Sequence, residues 1–120
     1  MQRFTDLVVW QRSHKLVLSV YELTKSFPRE ELYGVTSQFR RAAVSVPANI
    51  AEGSKRKQPQ DYARFLNIAE SSLAETEYYV FLCRDLEYFD PQVKVDDIFS
   101  EIDEISRMLS ALRRKVEGPQ

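Results

Sequence analysis

Between Glu31 and Gly53 apolar positions outnumber polar ones, and they do not fall on one side only. On a helix turning by roughly 100° per residue, the stretch separates into three parts. One face holds Leu32, Val35, Phe39, Ala42, Ala43, Val46 and Ile50; a second side holds Val44, Ala48 and Ala51. A narrow polar line, Gln38, Arg41, Ser45, Asn49 and Glu52, runs between them at helical spacing. A helix that is apolar on more than one side has to be covered on more than one side. The pattern therefore predicts the central helix of a bundle, with its small residues letting neighbours approach closely. Pro47 cannot donate to the carbonyl of Ala43, which predicts a kink; because the periodicity resumes at Ile50, the helix is expected to continue to Gly53 as its C′ residue.

Three further amphipathic stretches flank it. The first helix is expected from Asp6 to about Lys25, with Val9, Leu16, Val20, Leu23 and Phe27 on one face and Thr5 or Asp6 as N-cap. Phe27-Pro28 is expected to close it. The third is expected from Pro59 to Glu87, with Tyr62, Leu66, Ala69, Leu73, Thr76, Val80 and Cys83 alternating at four and three residues. Phe65, Ile68, Ser72, Tyr79, Leu82 and Leu86 widen that stripe. A turn over Tyr88–Val95 leads to the fourth, which carries Ile98, Ile102, Ile105, Leu109, Leu112 and Val116. Asp96 and Asp97 near its start and Arg113, Arg114 and Lys115 near its end complement the helix dipole. No strand pattern occurs. The expected fold is all-α: one domain over residues 1–120, an up-down-up-down four-helix bundle.

Composition narrows the function more than the fold. With 120 residues, 43% of them hydrophobic, and 3 glycines, the chain can bury a core without metals or disulfides. A net charge of −1 removes the argument for a strongly basic nucleic-acid binder, so any such site has to be local. The single Cys83 lies on the core stripe, where it acts as a small hydrophobe, and it fits a reducing compartment. No signal peptide and no run of ~20 apolar residues is present, so a cytoplasmic protein without a membrane partner is expected. Phosphate loops, nucleophile elbows and Cys/His metal spacings are absent. A di-metal bundle would need Glu-x-x-His on two helices, and the chain has only His14. The expectation is a non-enzymatic protein with no cofactor, metal, catalytic residue or small-molecule substrate.

The basic residues carry the remaining interest. Arg40, Arg41, Lys55, Arg56, Lys57 and Arg64 lie on the central helix, the loop after it and the first turns of the third helix. They form either a nucleic-acid-binding rim, making charge and bidentate contacts to phosphates, or a solvated loop balanced by acids elsewhere. Tyr62 and Phe65 beside them could stack bases, but their spacing fits the core. The polar line, Gln38, Ser45, Asn49 and Glu52 with Arg41, is either a solvent strip or an assembly surface. Tyr78 and Phe81 fall off the core stripe of the third helix, which makes them candidates for subunit contact.

One set of motifs points to a family. Phe4-x-Asp6-Leu7-x-Val9-Trp10-Gln11, Phe27-Pro28-x-Glu30, the run from Gln38 through Arg40-Arg41-Ala42-Ala43-Val44-Ser45-Val46-Pro47-Ala48-Asn49-Ile50-Ala51-Glu52-Gly53, and Arg64-Phe65-Leu66-x-Ile68-Ala69 resemble the four-helix-bundle proteins encoded within intervening sequences of bacterial 23S rRNA genes, also called S23 ribosomal proteins. The resemblance runs from about Phe4 to Leu112; Glu70-Ser71-Ser72 stands where a Gly-Ser pair is more usual. It implies a left-handed four-helix bundle assembled as a homo-oligomeric ring, a pentamer favoured. It does not imply a biochemical function. Distant relatives are accessory proteins of diversity-generating retroelements, where a basic pentamer binds nucleic acid and a reverse transcriptase. Two expectations follow: an oligomeric bundle that binds RNA or other nucleic acid through a basic helix-loop rim, or a protein–protein scaffold without a nucleic-acid partner.

Overall fold

The computed structural model describes residues 3–119. Its four helices are α1 (Val8–Thr24), α2 (Val35–Ser54), α3 (Pro59–Asp85) and α4 (Val95–Glu117), with 3-10 turns at Phe4–Asp6 and Arg29–Glu31. No strand occurs among the described residues. α2 packs most extensively on α3, α3 on α4 and α1 on α2, while α1 closes the ring against α4. That leaves α1/α3 and α2/α4 as the diagonal pairs of a four-helix bundle. Its extents are 45 × 25 × 23 Å, the long axis set by α3, whose 27 residues span about 40 Å.

The core follows the main stripes expected of α2, α3 and α4, but Ile68 and Leu86, expected to widen the α3 stripe, are exposed because they lie at its outer margin. Phe39, Val46 and Ile50 of α2, Leu66, Leu73, Val80 and Cys83 of α3, and Ile102, Ile105 and Leu109 of α4 are buried together with Val9, Leu16 and Val20 of α1. Each large side chain fully removed from water contributes about 1.5–3 kcal/mol before the entropy of ordering is set against it. Aromatic rings close one end: Phe27 meets Phe39, Tyr88 and Phe89 at centroid distances of 6.4, 5.5 and 5.6 Å.

Several boundaries depart from expectation, each for a local reason. α1 starts at Val8 with Leu7 as N-cap and no side-chain cap, so neither Thr5 nor Asp6 caps it. Both belong to the preceding 3-10 turn, which is anchored by Phe4 edge-on to Trp10 at 5.2 Å and by Gln11 Nε2 donating to Thr5 O at 2.9 Å. α1 ends at Thr24, before Phe27-Pro28 is reached. α2 begins at Val35, because Arg29–Glu31 form their own turn and Gly34 takes the N-cap position. Leu32 is thereby released from the core face and is 47% exposed.

α2 runs through Pro47 unbroken, and Gly53 is a helical residue within it. The glycine is not a C′ residue with positive φ. It is required by close approach: a Cβ there would lie 2.7 Å from Phe65 Cβ and 3.1 Å from Tyr62 Cδ1. α3 ends at Asp85, two residues earlier than expected. Its C-terminus is a Schellman motif, with Tyr88 N–H donating to Cys83 O and Glu87 N–H to Arg84 O, each at 3.0 Å. Glu87 occupies the left-handed position at φ 60° that glycine usually fills.

Candidate nucleic-acid interface

α2 leads to α3 through Lys55–Gln58, a short connection that holds the two helices antiparallel. Close packing at Gly53 brings Phe65 of α3 against the last turn of α2. Phe65 is 9% exposed, and the Arg56 and Arg64 guanidinium carbons lie 4.7 and 4.8 Å from its ring centroid. Lys55 Nζ lies 5.7 Å from the Phe4 ring centroid, which ties the N-terminal turn to the same junction. Arg56 Nη2 also meets Glu52 Oε1 at 3.2 Å, an exposed pair of small energetic weight. Lys57 is exposed in the connection itself.

Of the six basic residues singled out by sequence, the fold brings together Lys55, Arg56, Lys57 and Arg64. Arg40 and Arg41 stand apart. They lie some fifteen residues up α2, about 22 Å at the helical rise. Arg40 Nε donates to Thr24 Oγ1 at 2.8 Å, and its guanidinium carbon sits 4.7 Å from the Tyr21 ring centroid. With Arg41 it borders an open groove of about 580 Å³ lined by Tyr21, Leu32, Tyr33, Ser37, Val44 and Ser45.

The fold adds a group that sequence alone ties only to the helix dipole. α4 runs antiparallel to α3, so its C-terminus returns to the α2–α3 junction. Arg113 Nε donates to Glu70 Oε1 at 2.5 Å, and Ser110 Oγ donates to Glu70 Oε2 at 2.8 Å. Arg113, Glu117, Arg64 and Asn67 share the walls of a second depression of about 560 Å³. This end of the bundle therefore carries Arg3, Lys55, Arg56, Lys57, Arg64, Arg113, Arg114 and Lys115, against Asp6, Glu52, Asp61, Glu70 and Glu117. The opposite end carries Glu22, Glu30, Glu31, Asp85, Glu87, Asp90, Asp96 and Asp97, against Lys25, Arg29, Arg84 and Lys94. A chain of net charge −1 is thus polarised along its length.

The polar line of α2 divides in two. Ser45 turns toward α3, where Ser45 Oγ and Ser72 Oγ share a hydrogen bond of 2.8 Å, and Asn49 Nδ2 donates to Ser45 O and Oγ at 2.7 and 2.9 Å. Gln38, Arg41 and Glu52 are exposed, as are Val44 and Ala48 on the second apolar side. Tyr78 is 59% exposed. Phe81 is partly engaged within the chain, its ring centroid 4.4 Å from that of Phe99, with the Arg84 guanidinium over both rings.

Burial pushes the Cys83 thiol up to about 12, and the charge of Glu31 adds to the shift. His14 lies exposed and stacked on Trp10 at 5.1 Å. No group of three or more metal-ligating side chains occurs among the described residues. None of the described helices is long and apolar enough to cross a membrane.

Comparison with known proteins agrees with the motifs. The family described as 23S rRNA-intervening sequence protein matches residues 5–111. Among solved structures, a protein of unknown function from the S23 ribosomal protein family of Bacteroides thetaiotaomicron VPI-5482 superposes with a TM-score of 0.79 at 27% identity, covering 88% of this chain and 95% of its own. No curated protein matches significantly.

Proposed function

The chain belongs to the 23S rRNA-intervening sequence protein family, and from that premise we propose that it is a non-enzymatic, homo-oligomeric cytoplasmic protein that holds RNA or other nucleic acid on the basic end of its bundle. The carrying observation is the gathering of Lys55, Arg56, Lys57 and Arg64 with the α4 C-terminus in an otherwise near-neutral chain. Cations at one end can contact phosphates and release counterions, while the excess of acid stands at the far end. Separation matters because screening at physiological salt acts over ~8 Å. Repeating the basic end around an oligomer makes a modest charge multivalent, and linked weak sites gain orders of magnitude in affinity.

Support for assembly comes from apolar surface left uncovered on the subunit. Tyr33 is 92% exposed, Leu32 47%, Val44 39% and Tyr78 59%. The same surface favours the second reading, a protein–protein scaffold without nucleic acid. Light scattering is expected to give a mass several times 14.0 kDa, with five subunits the number the family resemblance implies. Replacing Tyr78 by a polar residue is expected to reduce assembly more than helicity, and Phe81 less cleanly because of Phe99. A monomer across micromolar concentrations refutes assembly.

Fluorescence anisotropy with rRNA fragments at two salt concentrations separates the readings. Replacing Lys55, Arg56 and Lys57 together by Ala is expected to weaken binding. The salt dependence should flatten as well, by up to about 0.9 log units of slope for each phosphate no longer neutralised. Helicity and mass should stay unchanged. No binding at low salt, or equal binding by the triple variant, favours the scaffold.

A further inference from the structure

Resting on the nucleic-acid reading, we infer that the ligand of the basic end is the phosphate backbone of a double-helical segment, gripped by Arg56 and Arg64 held on Phe65. The state of the aromatic rings carries the inference. Proteins that bind single strands without sequence preference offer open aromatic faces on which successive bases stack. At this end those faces are occupied. Phe65 is 9% exposed, with two guanidinium carbons within 4.8 Å of its centroid. Phe4 packs edge-on to Trp10 and lies under Lys55, and Tyr62 is half-buried against Gly53. The most exposed aromatic side chains, Tyr33 and Tyr78, lie on other parts of the bundle.

What the end does offer is cations in fixed places. A guanidinium lying on a ring keeps its in-plane N–H fork available for a phosphate, and less side-chain freedom is given up when the phosphate binds. Because both forks are referred to one buried ring, their separation is bounded by two short distances and set by the α2–α3 packing at Gly53. A fixed pair of forks suits phosphates that are themselves fixed, as in a duplex, where recognition proceeds by shape and backbone. A flexible single strand gains little from such an array. Arg56 has one competing carboxylate, Glu52, in an exposed pair at 3.2 Å, which a phosphate can displace.

The test compares an RNA hairpin with an unbroken stem against an unstructured uridine-rich strand of equal phosphate number, by anisotropy at two salt concentrations. The hairpin is expected to bind at least about tenfold tighter. Arg56→Lys with Arg64→Lys keeps the charge but removes the forks; hairpin affinity should fall several-fold with its salt slope retained, and strand binding should not change. Phe65→Leu, checked for unchanged helicity, should likewise weaken the hairpin while leaving the slope. Equal or tighter binding of the single strand overturns the duplex inference and leaves the nucleic-acid reading standing. A double-lysine variant with wild-type hairpin affinity overturns the fork. Absence of binding by either RNA overturns both readings.

Discussion

Replacing Gly53 by alanine tests the central packing contact of the bundle. In an exposed helix interior this change stabilises by about 0.8–1 kcal/mol, because alanine has the better helix propensity. Here the new Cβ would stand 2.7 Å from Phe65 Cβ, 3.1 Å from Tyr62 Cδ1 and 3.3 Å from Tyr62 O. Carbon atoms at optimal separation are ~3.5–4.0 Å apart, so roughly 1 Å must be found. Phe65 Cβ moves only with its backbone and Tyr62 O is backbone itself, so no rotamer change relieves the contact. α2 and α3 must separate, and a gap of that size forfeits a quarter to a half of each dispersion contact it opens. Overpacking of this kind costs about 1–3 kcal/mol, with the upper part of the range expected because backbone is involved. Set against the propensity gain, the net destabilisation is about 1–2 kcal/mol. For a chain of this length that lowers Tm by about 4–8 °C. The assay is thermal and urea denaturation followed by circular dichroism at one fixed protein concentration, since the midpoint of a protein that assembles depends on concentration. A midpoint equal to or above wild type would refute the close-approach account.

Three other perturbations probe separate parts of the fold. Thr36 Oγ1 is buried without a hydrogen-bond partner among the described residues, so Thr36→Val is expected to raise stability by about 1 kcal/mol, read as an upward shift of the urea midpoint at unchanged slope. Glu87→Gly should also stabilise, by about 1 kcal/mol, because the left-handed Schellman position then bears no Cβ penalty; an unchanged or lower midpoint speaks against that backbone conformation. Arg12 donates to both Glu101 and Glu104 across the α1–α4 seam, and its hydrogen bonds hold the Glu101 carboxyl below the ordinary value of 4.5. A depressed folded value stabilises above the ordinary one and loses that contribution as pH falls through the depressed value, so the stability gap between wild type and Arg12→Ala should narrow in acid.

How far each feature can be read from sequence depends on whether its signal is local. The stripes of α3 and α4 are legible because mostly apolar positions recurring at alternating four- and three-residue spacing mark one buried helix face. The N-terminus of α1 is not, since Thr5 and Asp6 are good cap residues by chemistry and only the docking of Phe4 on Trp10 assigns them to a separate turn. The end of α3 is hidden because its left-handed residue is a glutamate, and the expected cue is glycine. Gly53 stands out in the sequence as special but for the wrong reason: a glycine near a helix end reads as a stop, while here it is a contact between helices. At the candidate site, nearness in sequence groups Arg40 and Arg41 with Lys55, although fifteen helical residues are a long way in space. Arg113, Arg114 and Lys115 are visible as charges, but their place beside the junction follows only once α4 is laid antiparallel to α3.

Helix dipoles alone do not account for the sorting of charge. In an up-down-up-down bundle each end presents two helix N-termini and two C-termini, so the dipole preference for acids at the former and bases at the latter puts both signs at both ends. At the basic end α4 follows the rule with Arg113–Lys115 although it closes on Glu117, and α2 is followed by Lys55–Lys57 although its last turn holds Glu52 and no base, while the N-termini of α1 and α3 answer only with Asp6 and Asp61. At the far end the region before α2 and the start of α4 follow it with Glu30, Glu31, Asp96 and Asp97. There the C-terminus of α3 departs from it: Arg84 is joined by Asp85 and Glu87. The departure adds acid where the dipole favours base, so helix stability is not its cause. Gathering like charges also works against compaction through self-repulsion. A partner of opposite sign at the basic end supplies a reason for such an arrangement, which is why the salt dependence of RNA binding, more than any stability measurement, bears on what this bundle does.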